Sequence, residues 1–375
     1  MLKGNEVIYQ IFVRNYSIDG SFKAVEDDLS RIKDLGIDII YLMPINEIGI
    51  KNRKGTYGSP YASKDYFSIS RDLGTLKDLK SLIKKTHKLK MKIIVDMVFN
   101  HTAPDSVLFQ EHPEFYFMKN GKPGNRVGDW SDIIDLDTSR KDTQDYLINV
   151  LEYWKNIGFD GFRFDVASII DLNLFKRARE ILGNETIFLA ESIDDDFAKY
   201  VESCGIHATP DNELFPIFDC CYNYSWYRPL ERYLKTREGL ENVIDNINRD
   251  LQYMPKEYLR CNCIENHDCE RISSLTKDEE ELIRITKLSY YLKGCPFIYA
   301  GQEYGINKKP NLFEKDPINW NLENKNNKIF ELHKELIRVK HNEKQLDFNI
   351  CVEKRGRIVL QLIKDNDVVE EKGIF

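Results

Sequence analysis

The feature that most restricts the architecture of this chain is a nearly unbroken alternation of short apolar runs with amphipathic segments, several of the runs ending on an acidic residue. Alternation of this kind is the pattern of parallel βα units, in which each strand is followed by a helix that returns the chain to the same end of the sheet. Strand-like runs fall at 7–13, 37–43, 92–98, 161–166, 186–191, 214–218, 259–264 and 296–300. Helical patterns fall near 22–35, 76–90, 141–157, 173–182 and 327–341, and the first ends in Asp34-Leu35-Gly36, with glycine placed as a C-cap. Eight strands with helices between them predict a closed (β/α)8 barrel. Residues 101–137 break the rhythm with His112-Pro113, Gly121, Pro123, Gly124 and Gly128, and read as a short inserted domain after the third strand. The barrel therefore covers 1–100 and 138–342. The last segment, 343–375, carries the apolar run 357–363 and reads as a brief C-terminal β remnant whose strand would have unpaired edges, a setting for low stability or edge-to-edge dimerisation.

A length of 375 residues suits one barrel with insertions, since the fold takes about 250 residues or more. The net charge of −7, with no long basic run, argues against nucleic acid or an anionic membrane as the main partner. No stretch approaches the roughly 18 apolar residues of a membrane span. The first residues lack the charged-then-apolar secretory pattern, and the eight cysteines show no repeated C-x-x-C spacing. A cytoplasmic protein with reduced thiols is expected. Cys261, Cys263 and Cys269 could be drawn as a zinc site, but Cys261 and Cys263 share one face of a buried strand, where cysteine packs as a small hydrophobe.

Three carboxylates close three separate runs: Asp165 in Gly161-Phe162-Arg163-Phe164-Asp165, Glu191 in Phe188-Leu189-Ala190-Glu191, and Asp268 in Asn266-His267-Asp268. A fourth cluster, Asp96-Met97-Val98-Phe99-Asn100-His101, ends the third run. Acidic residues at the C-terminal ends of several barrel strands are how such a barrel builds an active site. Taken singly, each has a plain structural reading. Asp165 and Arg163 could be an ion pair, His101 a satisfied loop histidine, and Tyr61 any one of 20 tyrosines. Trp130, Phe99 and Phe164 read first as core, and of the three only Trp130, in the inserted segment, is placed to meet a ligand.

As an ordered set, these motifs resemble those of the α-amylase superfamily of retaining α-glucoside-acting enzymes. Asp96-x-x-x-Asn100-His101, Gly161-Phe162-Arg163-Phe164-Asp165, Glu191 and Asn266-His267-Asp268 match its four signatures in order. Ser59-Pro60-Tyr61-x-x-x-Asp65-Tyr66 with Gly74-Thr75 is similar to its loop after the second strand, and Asp135-Leu136-Asp137 to the motif closing its inserted domain. The resemblance implies Asp165 as nucleophile, Glu191 as acid/base and Asp268 as third carboxylate, with Tyr61, His101, Arg163 and His267 around the reacting sugar. The residues agree with those roles. Arg163 and Asp165 project to one face of a strand, so the guanidinium is expected to lower the Asp165 pKa. Glu191, after an apolar run, is expected to have a raised one. A retaining mechanism needs the two carboxyl groups roughly 5–5.5 Å apart.

The implied function is hydrolysis of α-1,4-glucosidic bonds in maltodextrins or starch fragments, with an α-glucan oligosaccharide as the partner and no cofactor required. A transglycosylase, α-glucosidase, glucoside phosphorylase or isomerase on the same fold is the alternative, and a non-catalytic carbohydrate-binding member is the alternative of another class. The chain departs from the family where Ser168 and Ile169 replace a common Lys-His pair that holds sugar on the leaving-group side and offers a carbonyl to structural calcium. Any calcium would draw on Asn100, the Ile169 carbonyl and Asp129 or Asp132. The short inserted domain predicts a shallow cleft suited to short maltodextrins.

Overall fold

The computed structural model describes residues 2–128, 130–321, 326–342, 348–355 and 357–373. Eight strands form the barrel: β1 (Ile8–Ile11), β2 (Ile39–Leu42), β3 (Lys92–Met97), β4 (Gly161–Phe164), β5 (Ile187–Ala190), β6 (Cys220–Tyr222), β7 (Arg260–Asn262) and β8 (Cys295–Tyr299). Each pairs in parallel with its sequence neighbour, and β1 pairs with β8 to close the ring. Period-two alternation sorts the side chains. Ile8, Ile39, Ile94, Leu189, Cys220, Cys261 and Phe297 fill the interior, while Tyr9, Ile40, Val95, Phe162, Phe188 and Ile298 face the helices. One layer higher, toward the C-terminal ends, the same inward positions carry Gln10, Tyr41, Asp96, Arg163 and Tyr222, all buried. The apolar floor thus turns polar where a site is to be built. Gly161 is required by packing: a Cβ there would lie 2.2 Å from the Ile187 carbonyl oxygen of β5.

The sixth strand differs from expectation. It is Cys220–Tyr222, and the predicted run at 214–218 instead ends a helical turn, Asp211–Leu214, and enters the core through Leu214, Phe215, Ile217 and Phe218. The apolar content was read correctly, but it packs outside the barrel, where Pro216 costs no ladder hydrogen bond. Two helices, Tyr224–Thr236 and Leu240–Tyr253, follow β6. The segment after β3 is pinned by a two-residue antiparallel pairing of His101–Thr102 with Ile134–Asp135 and by the Leu136 amide donating to the Asn100 carbonyl.

The tail also departs from expectation. Its apolar strand, β10 (Ile358–Lys364), is the centre of an antiparallel sheet between β9 (Ile350–Glu353) and β11 (Asp367–Gly373), so both its edges are paired. The open edges belong to the flanking strands, and β11 carries Glu370, Glu371 and Lys372, charges that discourage further pairing. Asn248 on the helix Leu240–Tyr253 fastens the sheet by exchanging two hydrogen bonds with the Cys351 backbone.

Candidate active site

Arg163 organises the cleft. It is fully buried on β4, in register with Asp96 on β3, and its guanidinium holds three carboxylates. Nη1 donates to both Asp96 oxygens at 2.8 and 3.0 Å and to Asp165 Oδ1 at 2.9 Å, and Nη2 lies 2.8 Å from Glu191 Oε2. Asp165 and Glu191 thus take different nitrogens of one rigid fork, an arrangement that fits the short separation of a retaining pair. Asp96 also accepts from the hydroxyls of Tyr41 (2.6 Å) and Tyr61 (2.9 Å). The backbone then turns sharply. Val166 sits in the left-handed region at φ 39°, an uncommon place for a β-branched residue, and its amide donates to Glu191 Oε2 at 2.8 Å.

The expected electrostatics are corrected here. Burial pushes the Asp165 carboxyl well above the ordinary carboxylate range; Arg163 pulls against this, while Glu191, Asp96 and Asp268 add to the rise. One guanidinium is shared among three carboxylates and cannot depress Asp165 as it would a lone partner. Nor does Glu191 stand in an apolar pocket: it faces Arg163 and the Val166 amide, with the Tyr224 hydroxyl 3.5 Å from its other oxygen.

Asp268 follows β7 in a loop shaped by Asn266, whose Oδ1 accepts from the Asp268 and Cys269 amides. Below it, Glu265 pairs with Arg271 at 2.6 Å and accepts from the Ile272 amide. His267 stacks on Tyr61 with ring centroids 5.1 Å apart, and its Nε2 lies 2.6 Å from the Tyr61 hydroxyl and 3.0 Å from Asp268 Oδ2. Gln10 on β1 meets the other nitrogen at 2.9 Å. The walls around Asp268 push its carboxyl up, but His267, with Arg163 and Lys309, outweighs them and holds it well below the ordinary range. Its side chain is 44% exposed, open to a ligand. Burial pushes His101 down to about 4, so its imidazole is neutral at neutral pH.

Asp165, Asp268, Tyr61, His101 and His267 therefore line one cleft of about 270 Å³, with Arg163 and Glu191 bonded beneath it. Val166, Ile169 and Phe197 form an apolar wall on the Glu191 side, and Trp130, 43% exposed, stands on the rim. Sequence reasoning assigned no role to Asp96, Tyr41, Gln10 and Tyr224. Asp96 had a signal, as the first residue of a motif already recognised. The others are inward or loop positions that only the closed ring brings together.

The oxygens proposed for calcium do not fit an ion as they stand. Asn100 Oδ1 accepts from Arg126 Nη2 at 3.0 Å, Asp132 pairs with Lys54 at 2.7 Å, and Asp129 lies outside the described residues. Among the described residues no three His, Cys, Asp or Glu side chains gather in a way that could hold a metal. That includes Cys261, Cys263 and Cys269, each buried.

Comparison with known proteins agrees with this geometry. An alpha-amylase from Lactobacillus plantarum has a crystal structure 38% identical to this chain, with a TM-score of 0.90, over 96% of this chain and 86% of that one. A noncanonic maltogenic alpha-amylase from Thermotoga neapolitana is 30% identical, with a TM-score of 0.83, over 98% and 84%. In sequence, a cyclomaltodextrinase of Thermoanaerobacter pseudethanolicus is 26% identical over 374 residues, 88% of this chain and 58% of that protein. The chain spans a little over half the length of that relative and of an intracellular maltogenic amylase of Bacillus subtilis, of which it covers 56%. The alpha-amylase catalytic-domain model matches residues 8–201 and 215–348, and the chain belongs to that family.

Proposed function

We propose that this protein is a retaining glycoside hydrolase that cleaves α-1,4-glucosidic bonds in maltodextrins. The observation that carries the reading is the Arg163 fork, which presents Asp165 and Glu191 side by side at the mouth of the barrel beside an exposed, anionic Asp268. Asp165 attacks the anomeric carbon while Glu191 protonates the departing oxygen; water, deprotonated by Glu191, then releases the sugar with its configuration retained. The first step needs a proton on Glu191 and none on Asp165, and the second needs Glu191 ionised again. The crowded, proton-retaining cluster supplies one proton, which is used by Glu191 once the glycosidic oxygen reaches it. Asp268 and His267 are placed to bind hydroxyls whose hydrogen bonds tighten as the ring flattens. The names of the relatives support an α-glucan substrate. An intracellular setting is part of the same reading, supported by the eight free thiols and by the relative named intracellular.

Transfer to a sugar acceptor is a second reading. Ser168, at the position of the family's lysine, is turned inward, its carbonyl accepting from Thr209 and its hydroxyl from Ile193. The wall of Val166, Ile169 and Phe197 offers an incoming sugar an apolar face. The test is wild type against Asp165→Asn and Glu191→Gln on a maltooligosaccharide series, with products separated and the first anomer read by NMR. Hydrolysis with retained α-configuration, lost in both variants, is expected. Longer products at high substrate would assign transfer, and inverted product or full activity in Asp165→Asn would overturn the mechanism.

A further inference from the structure

At one of the polar junctions between the inserted segment and the barrel, the segment itself supplies a cation. Arg126, its side chain 19% exposed, reaches from the segment across to the end of β3. Its Nη2 donates to Asn100 Oδ1 at 3.0 Å, its Nε lies 3.6 Å from Asp135 Oδ2, and its backbone amide donates to that same oxygen at 2.7 Å. Asn100 and Asp135 are both buried, so each needs a partner of this kind. The bond to Asn100 also fixes the orientation of its amide. With Oδ1 taken by the guanidinium, Nδ2 faces His101 Nδ1 at 3.1 Å and donates to it. The neighbouring acid in the segment, Asp132, has its own cation in Lys54.

We propose that Arg126 is the resident cation of this junction: its guanidinium takes the Asn100 oxygen that a divalent ion would need, fastens the inserted segment to the barrel, and orients His101 through Asn100. Arg126 is in this sense a positioning residue, one hydrogen bond from Asn100, which lines the cleft. Asn100 Oδ1 cannot serve a metal and a guanidinium together, so the protein holds this junction without calcium. The fastening is independent of the reaction, whereas the effect through His101 rests on the glycosidase reading.

The experiment compares wild type, Arg126→Lys and Arg126→Ala in chelator and in added calcium chloride, reading thermal unfolding, limited proteolysis of the segment and maltooligosaccharide kinetics. Wild type is expected to unfold at the same temperature in both media and to show no heat of calcium binding. Arg126→Ala is expected to unfold about 5 °C lower, from the loss of a partly buried charge partner. Its segment should be cut sooner and its kcat/KM should fall about tenfold. Millimolar guanidinium, well below denaturing levels, should restore part of that loss in Arg126→Ala and none in Arg126→Lys, which keeps a charge but lacks the fork. A wild-type unfolding temperature that drops in chelator and returns with calcium would overturn the proposal. So would an Arg126→Ala protein with wild-type stability and proteolysis. Should that variant not fold, the wild-type chelator comparison and Arg126→Lys still decide. If no substrate is turned over at all, the unfolding and proteolysis results remain, so failure of the functional reading is separable from failure of this one.

Discussion

At the scale of single residues, the chemistry rests on how few positive charges serve how many carboxylates. Arg163 faces Asp96, Asp165 and Glu191 with no exposure to solvent, so its planar fork cannot be replaced by a point charge. Arg163→Lys is expected to reduce kcat/KM at least a hundredfold, since one or two buried carboxylates lose their donor at a cost of about 3 kcal/mol each. Steady-state kinetics beside a thermal melt would check this; a near-normal rate would mean the fork is not what holds the pair. The proton inventory gives a second expectation, with a definite sign. Attack requires an ionised Asp165, and burial raises that carboxyl, so the acid limb of kcat/KM should fall at a pH above the ordinary carboxylate value of about 3.9. Because the charge of Glu191 contributes to the rise, Glu191→Gln assayed on an aryl glycoside that needs no protonation should move that limb to lower pH. An unmoved limb would show that the two carboxyls do not share a proton. His101, pushed down to about 4 by burial, is distinguished by testing His101→Asn in parallel.

At the scale of elements, most of the barrel was legible because its strands announce themselves twice, as β-branched runs and as period-two patterns. The runs at 37–43, 92–98 and 161–166 contain β2, β3 and β4, and each overshoots only at its ends, where the chain leaves the ladder. The strand at 214–218 failed because β6 is just Cys-Cys-Tyr, too short to carry a pattern, beside a louder apolar run that packs elsewhere. In the site, every residue to which a motif gave a catalytic or sugar-binding role lies in or directly beneath the cleft, since a motif fixes a strand end and the barrel fixes where strand ends point. What the residues alone did not reveal was partnership. That Arg126 meets Asn100, or that Gln10 meets His267 across 257 positions, depends on ring closure and on the path of the inserted segment. The most exacting element contact is β4 against β5. Gly161→Ala places a methyl against the Ile187 backbone oxygen, which cannot swing aside as a side chain would. A loss of about 2–3 kcal/mol in a denaturant melt is expected, with kcat reduced as well because Arg163 rides two residues further along the same strand. A neutral Gly161→Ala would mean that β4 and β5 slide freely, which their shared register at Arg163 and Leu189 argues against.

At the scale of the whole molecule, the question is whether barrel and tail form one cooperative body. The tail sheet turns Cys351, Ile358 and Leu360 into the same core cluster as Trp226, Val243 and Ile247 of the two helices after β6, and as Leu288 and Leu292 below β8. Those helices in turn precede the strand that ends in the Asp268 loop, so the sheet supports, at one remove, the only exposed carboxylate of the three. Leu360 is the natural probe: fully buried on the central strand, flanked by paired strands on both sides and not part of the cleft lining. Leu360→Ala removes a buried side chain and leaves a cavity, at an expected cost of about 2–5 kcal/mol. If tail and barrel are one body, calorimetry should show a single transition displaced to lower temperature, with maltooligosaccharide turnover unchanged below it. If the sheet is a separate unit, an early small transition should appear while the main one stays in place. The shared core favours the first outcome: an independent sheet of three strands would have to bury its apolar face alone, and here that face is completed by helices of the barrel.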